Sequence, residues 1–256
     1  MIHPTAIIDA SAAIASNVEI GAYSVVGPGV TIGEGCVIAA HVVLTGPTRV
    51  GCRNKIYPFA SIGADPQDKK YNGEETHLEI GDDNTIREYV TINRGTAQDG
   101  SITRVGHRNW IMAYVHIAHD CLVGNDVIFA NNTTLAGHVR IDDFVVLGGS
   151  TLVHQFCRLG EHVFTSYAAR INKDVPPFVK VSEGKAKPRG INREGLMRRG
   201  YDEKTIQLLK DSYRVLYRSD LALTDAVALL REMEETCEPV RRLRIFIEQS
   251  QRSIIR

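Results

Sequence analysis

An apolar residue recurs at every sixth position through the first two-thirds of the chain. In one frame these positions are Ile8, Ile14, Ile20, Val26, Ile32, Ile38, Leu44, Val50, Ile56 and Ile62. The column resumes at Ile80 and, after a slip of one residue, runs from Val105 to Leu159. A period of six fits neither an amphipathic helix nor a solitary strand, whose periods are about 3.6 and 2. It predicts a solenoid, in which equal repeats stack on one another.

The repeat predicts a triangular coil with a short strand on each face and a turn at each corner. Three repeats close one coil, so residues three repeats apart lie in one column. The recurring apolar residue points inward, and the glycine that often follows it, as at Gly21, Gly27 and Gly33, is expected to supply the backbone angles of a corner. Coils stack as parallel strands about 4.8 Å apart. The general rule for parallel crossovers favours a right-handed coil.

Two polar segments interrupt the period, residues 64–77 and residues 94–103. The first reads ADPQDKKYNGEETH and the second RGTAQDGSIT. Loops that protrude from a rigid scaffold are natural places for binding groups. We therefore expect both loops to border a ligand site.

The period changes again near the C-terminal end of the chain. From about residue 190 the apolar residues take helical spacing, and Asp202 and Thr224 are predicted to be helix N-caps. The predicted fold class is mainly β. It consists of a parallel β-helix over residues 1–189, followed by a small α-helical domain over residues 190–256.

The composition argues against several classes of function. Lys plus Arg and Asp plus Glu both number 30, so the formal net charge is zero. This balance argues against a general nucleic-acid or membrane-surface binder. No apolar run approaches the roughly 18 residues that a membrane-spanning helix needs, and we find no signal-peptide pattern, so no stable membrane insertion is expected. Five cysteines without a CxxC pair fit a reducing cytoplasm.

Histidines concentrate in the stretch YVHIAHDCLVGND, Tyr114 to Asp126. The period places two neighbouring columns on one face of the coil: His119, Gly137 and Gln155 form one, and Asp120, His138 and Phe156 form the other. His154 lies beside Gln155. Three histidines and a carboxylate from three successive coils are therefore predicted to converge within roughly 10 Å.

Three interpretations of this cluster stay open on the residues alone. In the first, His119 is a general base whose tautomer is fixed by Asp120 or by a neighbouring histidine, and the Gly137 N–H is an oxyanion donor. In the second, the imidazoles bind zinc, as in the β-helix carbonic anhydrases. That family places two histidines five apart in one coil, and this chain has no such pair. In the third, the cluster is a solvated face of a noncatalytic scaffold.

The general-base interpretation implies direct acyl transfer to a hydroxyl group. The chain has no G-x-S-x-G motif, and no serine or cysteine is placed as a nucleophile paired with His119. Cys121 is near in sequence but is expected to point to a different part of the coil.

Several motifs together are more specific than the repeat. The segments HIAHDC, LAGHV, VHQFC, KDVPP and GINREGLMRRG resemble the UDP-N-acetylglucosamine O-acyltransferase family of lipid A synthesis, and the resemblance covers the whole chain. It implies a left-handed coil and a cytoplasmic homotrimer with active sites between adjacent β-helices. It also implies transfer of an R-3-hydroxyacyl chain from acyl carrier protein to the 3-hydroxyl of UDP-N-acetylglucosamine, without a cofactor or metal.

The resemblance assigns roles residue by residue. His119 matches the general base, Asp120 the adjacent carboxylate and Gly137 the oxyanion-hole glycine. The positions that match substrate-binding residues are Gln67, Asp68, Lys70, His116, His138, His154, Gln155, Asn192, Glu194, Arg198 and Arg199. The tail EGKAKPRGINREGLMRRG, with six basic and two acidic residues, suits a diphosphate and an acidic carrier protein.

The chain departs from the family pattern at a few positions. Asn93 stands where the family often has histidine, and Gly184-Lys185 where it usually has Gly-Asn. The related N-acyltransferase carries an extra N-terminal domain, and because the repeats here begin at about Ile2, we expect the O-acyltransferase instead.

Members of the O-acyltransferase family that take long hydroxyacyl chains have glycine at the position of Tyr167. We therefore predict that Tyr167 is an acyl-chain ruler that selects shorter donors.

Overall fold

The computed structural model describes residues 1–98 and 100–256, which form a parallel β-helix followed by helices. In chain order the strands are β1 Ile7–Ile8, β2 Ala13–Ile14, β3 Glu19–Ile20, β4 Val25–Val26, β5 Val30–Ile32, β6 Val37–Ile38, β7 Val43–Leu44, β8 Thr48–Val50, β9 Lys55–Ile56, β10 Ser61–Ala64, β11 His77–Ile80, β12 Thr85–Ile86, β13 Thr91–Asn93, β14 Ile102–Val105, β15 Trp110–Ile111, β16 His116–Ile117, β17 Leu122–Val123, β18 Ile128–Phe129, β19 Thr134–Leu135, β20 Arg140–Ile141, β21 Val146–Leu147, β22 Leu152–Val153, β23 Arg158–Leu159, β24 Phe164–Thr165, β25 Ala169–Ile171, β26 Val179–Val181, β27 Gly184–Lys185 and β28 Pro188–Ile191.

Three sheets form the three faces of the coil. Face one runs from β1 through β16 and β19 to β27, face two from β2 through β17 and β20 to β23, and face three from β3 through β18 and β21 to β28. Along the coils each strand pairs in parallel with the strand one coil later, and the pair β26–β28 is antiparallel. The predicted column register is confirmed, because Thr134 lies opposite Leu152 and Leu152 opposite Arg170.

The coil that contains the histidine stretch turns three corners, and each of these corners has a residue with positive φ. The first corner joins face one to face two and holds Asp120. The second joins face two to face three and holds Asp126, and the third leads back to face one and holds Asn132. Their φ values are 60°, 55° and 62°. Short polar side chains tolerate this left-handed conformation better than most.

The glycines that follow the inward column serve a different purpose from the predicted one. Gly21, Gly27 and Gly33 are not among the residues with positive φ. A Cβ at Gly21 would lie 2.5 Å from the amide nitrogen of Ala40, and one at Gly33 would lie 2.8 Å from the carbonyl carbon of Gly51. These glycines therefore allow the next coil to approach closely. The prediction that they supply the corner angles was wrong.

The inward column forms one continuous core along the β-helix. Ile20, Ile38, Ile56, Ile86 and Ile111 are all at most 2% exposed. Each fully buried side chain of this kind contributes about 1.5–3 kcal/mol relative to an exposed one. The core therefore extends through successive coils and joins them into one unit.

The two polar segments lie where they were predicted. The first connects Ala64, the end of β10, to His77, the start of β11, and the second connects Asn93 to Ile102. Asp99 of the predicted second loop lies outside the described residues.

The C-terminal helices are α1 Arg193–Arg198, α2 Glu203–Arg218, α3 Leu223–Met233 and α4 Glu238–Gln249, with a short 3-10 helix Glu234–Thr236. Asp202 caps α2 as predicted, since its side chain accepts a hydrogen bond of 2.6 Å from the Thr205 amide. The predicted cap Thr224 was wrong, because the backbone becomes helical at Leu223 after the extended Ala222. None of the described helices combines the length and the apolar character that crossing a membrane requires.

Candidate active site

The first corner brings the predicted histidine columns together. His119 Nδ1 lies 2.8 Å from Asp120 Oδ2, and the rings of His119 and His138 meet edge to face at 5.1 Å. His138 Nε2 lies 3.8 Å from the same Asp120 oxygen, and its ring stacks on Phe156 at 4.4 Å. Three successive coils therefore contribute to one cluster.

Asp120 is buried and is held by residues of the second loop. Its Oδ1 accepts a hydrogen bond of 2.8 Å from the Thr96 amide, and its Oδ2 accepts one of 2.7 Å from the Thr96 hydroxyl. Its own amide donates to the Thr103 hydroxyl at 2.8 Å. Burial opposes ionisation, but hydrogen bonds from His119 and Thr96 outweigh it and hold the pKa of the Asp120 carboxyl below its usual range. Asp120 is therefore a carboxylate at neutral pH.

This carboxylate determines which nitrogen of His119 can act as a base. An ionised carboxylate only accepts hydrogen bonds, so the neutral imidazole keeps its proton on Nδ1 and its lone pair on Nε2. The His119 side chain is 15% exposed, so one part of the ring is open to a ligand. A histidine held in this way can act as a general base.

Gly137 lies directly against the His119 ring. A Cβ at this position would lie 2.5 Å from His119 Cε1 and 2.7 Å from Nε2, closer than real Cβ atoms approach. Within the described residues the Gly137 N–H makes no hydrogen bond, so it is available to a ligand oxygen. Glycine is thus required here for space.

Substitution of Gly137 is expected to displace the His119 ring without unfolding the coil. In Gly137→Ala the added methyl displaces the His119 ring, and we expect kcat for the predicted acyl transfer to fall by about 10- to 100-fold. Gly149, where a Cβ would lie 3.5 Å or more from its neighbours, provides the matched control Gly149→Ala. Steady-state kinetics with thermal unfolding of each variant make the measurement. Equal kcat in Gly137→Ala and wild type would contradict the requirement for space.

The other two site histidines differ in their surroundings. His116 projects from face one, with Nδ1 2.7 Å from the Thr91 hydroxyl, and burial together with the charge of His119 lowers the pKa of the His116 imidazole. His154 is exposed, and its Nδ1 lies 3.2 Å from the Gln155 carbonyl oxygen. His154 borders a groove of about 540 Å³ on face one, whose other lining residues are Thr134, Ala136, Leu152, Val153, Arg170, Ile171, Asn172 and Lys185.

The first loop is anchored next to the histidines by residues that the sequence interpretation did not select for this purpose. Arg94 is buried and donates to the Gly63 carbonyl at 2.5 Å, to the Asp65 carboxylate and to the Tyr71 hydroxyl at 3.1 Å. Asn93 donates to the Asp65 carbonyl at 2.7 Å. The departure at Asn93 is therefore compatible with a well-held loop.

The predicted ligand residues of the first loop project from this anchored base. Asp68 Oδ1 accepts a hydrogen bond of 3.0 Å from the Lys70 amide, which closes a local turn. Gln67 and Lys70 are exposed. Within the described residues, none of the three is joined to the histidine cluster by a hydrogen bond or ion pair.

The predicted residues of the C-terminal tail lie at a different corner. Asn192 caps α1, with its Oδ1 3.2 Å from the Gly195 amide, and also donates to the His162 carbonyl at 3.0 Å. Arg199 lies 4.4 Å over the Phe144 ring and 3.9 Å from Asp126, both at the second corner. Glu194 and Arg198 are exposed beside them. In one chain these residues are separated by face two from the histidines of the first corner.

Tyr167 lies at the third corner. Its ring packs over Gly149 of the preceding coil, 3.5 Å from the position of a Cβ there, and the residue is 67% exposed. Tyr167 and Gly149 are 18 residues apart and lie in one column, in keeping with the six-residue period. Tyr167 is not among the residues that line the groove beside His154, which include Arg170 and Lys185.

The histidine corner can also be tested as a metal site. One ligand atom each from His119, Asp120 and His138 lie within 4.8 Å of one another, a spacing that a divalent cation could bridge. The Asp120 carboxylate already accepts hydrogen bonds from Thr96 and His119, so a cation would have to displace the bond that orients the base. Burial raises the pKa of the Cys121 thiol to about 12, so Cys121 is neither a thiolate ligand nor a nucleophile.

Comparison with known proteins identifies the family. The model described as Udp N-acetylglucosamine O-acyltransferase, domain 2, matches residues 174–255, and that of the bacterial transferase hexapeptide matches residues 1–33, 11–46 and 102–137. The acyl-[acyl-carrier-protein]–UDP-N-acetylglucosamine O-acyltransferase of Herminiimonas arsenicoxydans is 55% identical, with 100% of this chain and 99% of the relative covered. The chain belongs to the UDP-N-acetylglucosamine O-acyltransferase family. The prediction from the motifs is confirmed.

Solved structures of the UDP-N-acetylglucosamine O-acyltransferase family share the fold. The Francisella novicida enzyme superposes with a TM-score of 0.98 at 42% identity, covering 100% of this chain and 94% of that one. The Moraxella catarrhalis enzyme gives 0.97 at 46% identity, with 100% and 99% covered. The coil is the left-handed parallel β-helix of this family. The general right-handed rule depends on strand twist, and strands of two residues accumulate little of it.

Proposed function

We propose that the protein transfers an R-3-hydroxyacyl chain from acyl carrier protein to the 3-hydroxyl of UDP-N-acetylglucosamine, the first step of lipid A synthesis, in the cytoplasm. Membership of the family supports the substrates, since relatives at 48–56% identity carry the name of this reaction. The observation that carries the chemistry is the His119–Asp120 hydrogen bond of 2.8 Å directly beneath Gly137.

The geometry supports a direct transfer. His119 Nε2 takes the proton of the acceptor hydroxyl while the hydroxyl oxygen forms a bond to the thioester carbonyl carbon. The Gly137 N–H donates to the carbonyl oxygen as it becomes negative. When the carbon–sulfur bond breaks, the imidazolium returns the proton to the departing carrier thiolate. Because Asp120 stabilises the imidazolium, the charge on His119 is balanced throughout.

A small set of assays separates this proposal from its competitors. Purified protein is incubated with a hydroxyacyl carrier protein and UDP-N-acetylglucosamine, and the nucleotide product is analysed by mass spectrometry for an added acyl group. An ester product supports the proposal. Transfer only to a 3-amino acceptor would identify the related N-acyltransferase. Carbon dioxide hydration lost on chelation would identify a metallohydrolase, and absence of any response to UDP-N-acetylglucosamine would leave a noncatalytic scaffold.

We infer further that the active protein is a homotrimer with its sites between chains. The histidines at the first corner and Arg198 and Arg199 near the second do not meet within one chain, so a common site needs a neighbouring copy. An exposed aromatic stack along the third corner also suggests a covered surface. Its rings, 4.9 to 5.3 Å apart, are those of Tyr23, His41, Phe59, Tyr89 and Tyr114.

Subunit complementation tests this arrangement. His119→Ala and Arg198→Ala chains are expected to be weakly active alone, but a mixed trimer contains one interface with both residues intact. Random co-assembly in equal amounts should therefore recover about a quarter of the wild-type activity. Light scattering of each sample establishes the number of copies, and each variant mixed with itself is the control. A monomer, or activity no greater than the sum of the separate variants, would contradict the inference.

A further inference from the structure

Thr96 holds the Asp120 carboxylate at two points. Its amide donates to Oδ1 at 2.8 Å and its hydroxyl to Oδ2 at 2.7 Å. Thr96 is 2% exposed and Asp120 is 3% exposed, so water does not compete for these bonds. Two donors from one residue to the two oxygens fix both the position and the plane of the carboxylate. Hydrogen bonds to an ionised acceptor are the stronger kind.

The same oxygen faces the base. Asp120 Oδ2 accepts from the Thr96 hydroxyl and also lies 2.8 Å from His119 Nδ1. With Thr96 in place, the direction that Oδ2 leaves open is the one that His119 uses. The Asp120 amide in turn donates a hydrogen bond of 2.8 Å to the Thr103 hydroxyl. Both ends of the second loop are therefore hydrogen-bonded to Asp120.

We propose that Thr96 is a positioning residue that aims the Asp120 carboxylate at His119 and moderates how strongly His119 holds a proton. The inference rests on the proposed acyl transfer. The Thr96 hydroxyl disperses part of the carboxylate charge that would otherwise act on the His119 imidazolium and on His138, whose Nε2 lies 3.8 Å from the same oxygen. Loss of the hydroxyl is therefore expected to leave the His119 ring less well positioned. It also makes His119 release its proton less readily.

Thr96 also connects the base with the first loop. Two and three residues before it in the chain, Arg94 and Asn93 donate to the backbone carbonyls of Gly63, near the end of β10, and of Asp65, in that loop. A short segment with buried side chains thus supports the predicted ligand loop on one side and the general base on the other. This gives the RGT sequence a physical role that the six-residue period does not reveal.

Thr96→Val tests the proposal, because it removes the hydroxyl while keeping the shape and the amide. We expect kcat to fall about tenfold, as for the loss of one hydrogen bond to a charged group. The acid limb of the kcat/KM profile should move about half a pH unit upward, and KM for both substrates should stay within about twofold. Thr96→Ser restores the hydroxyl and should return both values to those of wild type.

Thr133→Val is the matched control, since its buried hydroxyl donates to the Ala130 carbonyl at 2.8 Å, at the third corner. It should leave the pH profile unchanged. An unmoved acid limb in Thr96→Val, or a loss that Thr96→Ser does not restore, overturns the proposal and indicates a merely structural contact. If Thr96→Val does not fold, Thr96→Ala is judged by the same two criteria. Either of these two results would contradict the role of Thr96 alone. The proposed reaction would still be supported as long as His119→Ala is inactive.

Discussion

Replacing His119 with alanine is expected to lower kcat for acyl transfer by about 10²- to 10⁴-fold, the usual contribution of a general base. The variant keeps Asp120 bound to Thr96, and the coil core, in which Ile117 is fully buried, is untouched. Oligomeric state and thermal unfolding should therefore match those of wild type. Substrate binding, measured by calorimetry with UDP-N-acetylglucosamine, should change far less than kcat.

His3→Ala serves as the control for this experiment. His3 is exposed in the first coil, and its side-chain hydrogen bond is to Thr5, so its removal should leave turnover unchanged. Near-wild-type turnover in His119→Ala would contradict both the assignment of His119 as the general base and the direct-transfer mechanism. A variant that is inactive because it has lost its assembly would be recognised by light scattering.

Replacing Tyr167 with glycine is expected to shift donor selectivity toward longer hydroxyacyl chains. The ring lies over Gly149 at the third corner and, being 67% exposed in one chain, is free to close a groove against a neighbouring copy. Each methylene that gains a buried position contributes about 0.8 kcal/mol. Opening room for three or four methylenes therefore changes the ratio of kcat/KM between long and short donors by about 10²-fold.

The measurement is kcat/KM over a series of donors of increasing length, for wild type and Tyr167→Gly. Wild type should peak at the shorter donors and the variant at longer ones. Tyr23→Gly, at the same corner several coils away, is a matched control because Tyr23 is similarly exposed and should keep the wild-type profile. Identical peak lengths in wild type and Tyr167→Gly would exclude Tyr167 as the ruler. The cations Arg170 and Lys185, which line the groove beside His154, would then be the next residues to replace.

The register of the histidines was predictable because the repeat is strict. Between His116 and His154 the period has no interruption, so column membership follows from counting. His119 under Gly137, and Asp120 under His138 and Phe156, are therefore found where they were expected. The apolar column and the position of the helical domain follow from the same kind of pattern.

Contacts across the loops were not predictable in this way. Thr96 and Thr103 reach Asp120 across the second loop, where the chain leaves the coil and counting no longer places residues in columns. The glycines at Gly21 and Gly33 were assigned to corner angles, whereas the structure shows a close approach between coils. That distinction depends on the distance between the backbones of two successive coils, and the sequence of one repeat does not reveal this distance.

The amino-acid sequence by itself determined the coil, its core and the grouping of His119, Asp120, Gly137 and His138, because a six-residue period admits one register. Only the tertiary structure decided how Asp120 is held and where the C-terminal tail lies. Both depend on segments without a period, which find their partners by packing and hydrogen bonding. Arg199 packs on Phe144 at the second corner, away from the histidines at the first, because α1 is capped by Asn192 and tied to the carbonyl of His162.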